Sequence, residues 1–103
     1  MKHKLLFTKA ANLDITESIL WYNQQQAVLG DRFFSELSSK LEKITIQPTS
    51  YPKRHNDIRC GKIDHFPYLI HFLTEPQNKH LIVIAVLHTS LNPELWKGRD
   101  VNK

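Results

Sequence analysis

Two periods of hydrophobic and polar positions follow one another along this chain, and they meet at Pro48–Pro52. Before that point the apolar residues recur at helical spacing. Leu13, Ile19, Leu20, Trp21 and Tyr22 favour a helix running to about Gln26. Phe33, Phe34, Leu37, Leu41 and Ile44 then form one apolar stripe of a second helix. Thr8 stands where an N-cap belongs, Gly30 reads as the break between the helices, Asp31 supplies a first-turn acid, and Pro48 ends the pattern. So short a connection predicts an antiparallel helical hairpin. His3 to Phe7 reads as a short first strand.

Beyond Pro52 the chain is polar over Lys53 to Asn56 and then reads as strands: Ile58 to Ile63, Pro67 to Leu73, and Leu81 to His88. Glu75 to Lys79 is a turn that pairs the last two. The run Leu81 to Leu87 is apolar throughout, as in a strand buried on both faces. Asn92-Pro93 starts a final turn or short helix holding Trp96. The expected architecture is a two-layer α+β domain spanning residues 1–103. An antiparallel sheet, made of a short N-terminal strand and a C-terminal three-stranded meander, packs against the helical hairpin.

Composition narrows the class. With 41% hydrophobic and 23% charged residues the chain is ordinary globular material, which argues against disorder. Its net charge of +4 is concentrated beyond residue 52, where Lys and Arg exceed Asp and Glu. That surplus suits an acidic protein partner or a phosphate backbone, and equally an ordinary solvated surface. Cys60 is the only cysteine, so no internal disulfide can form and a reducing cytoplasm is the simplest setting. Leu5-Leu6-Phe7 is too short for the apolar region of a signal peptide, and no stretch approaches the ~20 apolar residues of a membrane helix.

Familiar catalytic signatures are absent: there is no Gly-rich phosphate loop, no cysteine pair and no His-Glu-x-x-His. The six histidines show no ligand spacing within one element, so neither a metal nor another cofactor is expected. His88, at the end of the most buried strand, is the candidate for proton transfer, set against a histidine that merely bonds a neighbouring carbonyl. Arg59 alternates with Ile58 and Cys60. If the helices cover the Ile58 face, Arg59 lies on the open face, where it could grip a phosphate or a partner's carboxylate. Tyr68, Trp96, Lys97 and Arg99 complete the contact candidates, with Trp96 also suited to anchoring the tail. Trp21 and Tyr22 read as hairpin packing.

The assembled features resemble the RelE/ParE superfamily of small bacterial toxins, its ParE-like branch above all. The features are Trp21-Tyr22, Gly30-x-x-Phe33, Leu37 with Leu41, Pro48-x-x-Tyr51-Pro52, Ile58-Arg59, Phe66-Pro67-Tyr68, Val86-Leu87-His88 and Pro93-x-x-Trp96-x-x-Arg99. The resemblance implies the same two-layer fold and a cognate antitoxin, an acidic, partly disordered protein that folds on binding and forms a heteromeric complex. It implies a toxin of a type II toxin–antitoxin system that inhibits growth by binding a target, with DNA gyrase suggested. The alternative it offers is a RelE-like ribosome-dependent endonuclease acting on mRNA. There His88 would carry the proton, with Arg59 and Lys62 holding the phosphate. One departure stands out. Related sequences place arginines just after the histidine, where this chain has Thr89-Ser90-Leu91. Such a guanidinium could stabilise charge developing on a phosphate, and Ser90 and Leu91 cannot. The loss favours binding over cleavage, and also admits a degenerate, non-toxic member.

Overall fold

Strand β1 (Lys4–Phe7) leads into helix α1 (Lys9–Gln25) through Thr8, whose side-chain oxygen accepts from the Ala11 amide at 3.1 Å. This satisfies one of the orphan donors of the first turn, as the sequence predicts. Helix α2 (Leu29–Ile46) follows after a tight turn and runs back, ending one residue before a 3-10 turn at Pro48–Ser50. The computed structural model describes residues 3–90. Four further strands complete it: β2 (Lys53–His55), β3 (Ile58–Lys62), β4 (Tyr68–Glu75) and β5 (His80–His88).

The sheet order is β1-β5-β4-β3-β2. Strands β2 to β5 form an antiparallel meander, whereas β1 pairs parallel to β5, with Lys4 opposite His80 and Phe7 opposite Val83. The sheet is therefore mixed rather than antiparallel, and it has one strand more than the sequence suggests. Lys53, Arg54 and His55 show no apolar alternation that would mark β2 in the sequence; backbone pairing to β3 and the Lys53–Asp57 ion pair at 3.3 Å hold this edge.

Both helices lie on one face of the sheet. Phe33, Leu37, Leu41 and Ile44 of α2 and Ala11 of α1 bury against Ile70, Phe72, Leu81, Val83 and Val86. Phe34, expected in the same stripe, is instead half exposed and lines a groove between α2 and β1. A second apolar cluster, Ile58, Ile82, Ile84 and Ala85 with Leu6, Leu73 and Leu87, occupies the other face. A bulge creates part of it: His71 pairs with Ala85 and Phe72 with Val83, so Ile84 is the extra residue of β5. The chain between Leu81 and Val86 is thus buried on both faces, as its unbroken apolar run predicts.

Two local readings change. Gly30 does not break a helix; it lies inside α2, buried, where a Cβ would come within 2.3 Å of the Ile19 carbonyl oxygen. Its amide donates to Asn23 Oδ1 at 2.7 Å, so the two helices approach closely at Gly30. The break falls at Val28, which adopts a left-handed conformation with φ of 60°. Second, the helices do not cover the Ile58 face. Gly61, which shares its face with Arg59, packs against Ile44 and Tyr51, so Arg59 belongs to the helix side. Alternation fixes which residues share a face, but not which face the helices take.

Candidate functional site

Strand β1 covers β5 only as far as Val83, and Thr8 closes that pairing by donating its amide to the Val83 carbonyl at 3.0 Å. Past this point the edge of β5 meets α1. The Val86 amide donates to Asp14 Oδ2 at 3.0 Å, so a helix side chain takes the place of a ladder partner. A groove of about 250 Å³ opens here between the helix and the strand end. Asp14, Glu17 and Trp21 line it from α1, and Tyr68 and His88 from the sheet.

The sheet register explains why Tyr68 and His88 meet. They are partners across β4 and β5, and their rings contact edge to face with centroids 5.4 Å apart. Tyr68 is rooted in an aromatic cluster with Tyr22, Phe33 and Phe66, all within ring-contact distance. Burial, followed by the charge and side-chain hydrogen bond of Tyr68, raises the Tyr22 hydroxyl above its ordinary pKa. The floor of the groove is therefore a packed set of aromatic rings, and the Tyr22 hydroxyl keeps its proton. Trp21, by contrast, is 53% exposed at the rim.

His88 is held by its neighbour two residues on. The Ser90 amide donates to His88 Nδ1 at 3.0 Å, and Ser90 Oγ lies 2.8 Å from the same nitrogen. A backbone N–H can only donate, so Nδ1 carries the lone pair and the neutral ring keeps its proton on Nε2. In this arrangement the free nitrogen is a donor. Ser90 therefore engages the ring nitrogen that a general base would use to take up a proton. Ser90 thus has a definite task two residues after His88.

The remaining sequence candidates are dispersed. Arg59 pairs with Phe72, four positions along β4 from the partner of His88, and β3 lies two strands from β5. At ~3.3 Å per residue and ~4.8 Å per strand, the two Cα atoms stand about 16 Å apart. Arg59 Nη1 donates to the carbonyl oxygens of Tyr51 and Thr49 at 2.6 and 3.4 Å, fastening the loop after α2 to β3. Lys62 Nζ donates to the carbonyls of Ile63 and Phe66 at 3.1 and 3.4 Å. Trp96, Lys97 and Arg99 lie outside the described residues. Among the described residues no three His, Cys, Asp or Glu side chains cluster as metal ligands, and no helix is long and apolar enough to cross a membrane.

The structure adds three residues that sequence reasoning passed over or read as packing: Asp14, Glu17 and Trp21. A signal was present. Spacings of three and four place them on one side of α1, facing the same end of the sheet.

A family model described as the ParE toxin of the type II toxin–antitoxin system parDE matches residues 5–93. Among solved structures, the chromosomal ParDE toxin–antitoxin system from P. aeruginosa superposes with a TM-score of 0.75 at 11% identity, covering 86% of this chain and 98% of that one. The RelBE2 toxin–antitoxin complex from Mycobacterium tuberculosis gives a TM-score of 0.64 at 13% identity, covering 85% of this chain and 92% of that one. At such identities the likeness shows a shared fold. A search of curated proteins returned no match.

Proposed function

The chain belongs to the ParE toxin family of type II toxin–antitoxin systems, and from that membership we propose that it inhibits growth by binding a cellular protein, with DNA gyrase the first target to test. A cognate antitoxin neutralises it. The observation that carries this reading is the chemistry of the groove at His88. Its aromatic surface, Trp21 and Tyr68, sits beside two carboxylates, Asp14 and Glu17, and no Lys or Arg among the described residues lines it. An exposed Trp beside a packed aromatic floor is a usual anchor of a protein interface. Two carboxylates repel a phosphate backbone, and RNA cleavage without a metal needs cations around the scissile phosphate.

The endonuclease alternative draws less support. His88 is engaged as an acceptor by Ser90, Arg59 is about 16 Å from it on the sheet lattice, and the cations of Arg59 and Lys62 are bound to carbonyls. The growth-inhibition reading is tested with purified protein in two assays run side by side. Gyrase supercoiling is expected to fall in a dose-dependent way and to recover when the cognate antitoxin is added. A translation reaction mapped by primer extension is expected to leave the mRNA intact. Ribosome-dependent cleavage with gyrase unaffected would overturn the proposal.

A further inference from the structure

The groove at His88 runs against the charge of the molecule. The chain carries a net +4, yet the described residues lining this groove supply two carboxylates and no Lys or Arg. Helix electrostatics do not explain them, because Asp14 and Glu17 both lie beyond the first turn of α1. The Val86 amide fixes Asp14 Oδ2 at the inner end. Glu17 is exposed and stands four residues before Trp21. That spacing makes the two neighbours on the helix surface, so a cation drawn to the carboxylate comes to rest against the indole. Trp21 is 53% exposed, and Tyr68 lines the groove from the sheet.

We propose that this groove receives an arginine side chain of the target protein. The inference rests on the reading of the groove as a protein interface and adds what the partner presents there. A guanidinium is planar, so it stacks on an aromatic face while its N–H groups donate to a carboxylate. Trp21 supplies the face, Glu17 accepts, and Asp14 adds a second negative charge. A lysine ammonium pairs with a carboxylate but has no plane to lay on the indole. An acidic side chain or a phosphate is repelled by both carboxylates. The volume of about 250 Å³ falls below the ~300–1,000 Å³ of small-molecule pockets and suits a single side chain.

The test uses the full, isotope-labelled chain with N-acetylarginine amide as the probe and no gyrase present. The Trp21 indole N–H resonance, identified by its loss in Trp21→Phe, is expected to shift saturably at millimolar probe. The citrulline analogue, similar in shape but uncharged, should leave it in place. Glu17→Gln, a change at an exposed helix position, should weaken binding of the arginine probe by about threefold or more. No saturable shift up to about 50 mM probe overturns the proposal, as does an equal response to the citrulline or the lysine analogue. So does binding that appears only in Lys97→Gln/Arg99→Gln, since the chain's own cations would then fill the groove. Gyrase inhibition is read separately, so arginine binding without it supports the site and counts only against that target.

Discussion

Val28 and Gly30 occupy the same turn and make opposite demands on a side chain. Val28 is 69% exposed, left-handed and branched at Cβ, and it caps α2 without a side-chain hydrogen bond. A left-handed non-glycine residue costs about 1–2 kcal/mol, partly offset by the extra chain entropy that glycine brings to the unfolded state. Val28→Gly should therefore raise stability by about 0.5–1 kcal/mol, read as a shift of the urea midpoint. Gly30→Ala should do the reverse. Its methyl would meet the Ile19 carbonyl and the Asn23 side chain, forcing the helices apart at a cost of about 2–3 kcal/mol. A neutral Gly30→Ala would mean that the helix contact is looser than described. Cys60 sits where its thiol can donate to His71 Nδ1, 3.1 Å away, and burial pushes its pKa up to about 11 from 9.0, with Arg54 opposing. A raised folded pKa gives stability that is full below the unfolded value and lost as pH rises through the folded one. The stability gap between wild type and Cys60→Ser should accordingly narrow between about pH 9 and 11. A gap independent of pH would refute the burial argument. At this scale the sequence was a fair guide to caps, since Thr8 acts as read. It was a poor guide to glycine, because a close approach and a helix break leave the same letter.

Elements were legible where one periodicity ruled. Helix α2 and the hairpin of β4 and β5 follow directly from their spacing, and the dry strand from its run. Helix α1 was harder because it is apolar on two sides. Ile15, Ile19 and Tyr22 pack on the core, while Leu13, Leu20 and Trp21 are more than half exposed. At 3.6 residues per turn the exposed three fall within a sector of about 100° that runs toward the His88 groove. Their number beyond the inner stripe was the available signal. The candidate site was legible in part. His88 and Tyr68 come together because strand register, readable from the hairpin, makes them partners. Arg59 stays apart from them because no local pattern says how far along β4 the next strand begins. If the groove binds a protein, Trp21→Ala in the intact chain should weaken gyrase inhibition by tenfold or more with little change in melting temperature, the signature of an exposed anchor. Unchanged inhibition would move the target surface elsewhere.

For the whole molecule, the +4 charge bears on how fast partners meet rather than on the fold. Association with an acidic antitoxin should slow markedly between about 0.05 and 0.5 M salt, with the dissociation rate changing far less. A rate indifferent to salt would mean that the surplus steers nothing. The charge bias was visible at once in the sequence; the parallel pairing of β1 with β5 was not, since no strand announces a neighbour that lies on the far side of two helices and three other strands. That pairing sets a clock on biosynthesis. β1 has no sheet partner until β5 has been made, and at about 5–20 residues per second the wait is roughly 4–15 s. During it the helical hairpin can form locally with its inner face uncovered, but the groove at His88, which needs both β4 and β5, does not exist. A nascent toxin is thus without its candidate binding surface for most of its translation, and a chain abandoned before β5 has none to offer.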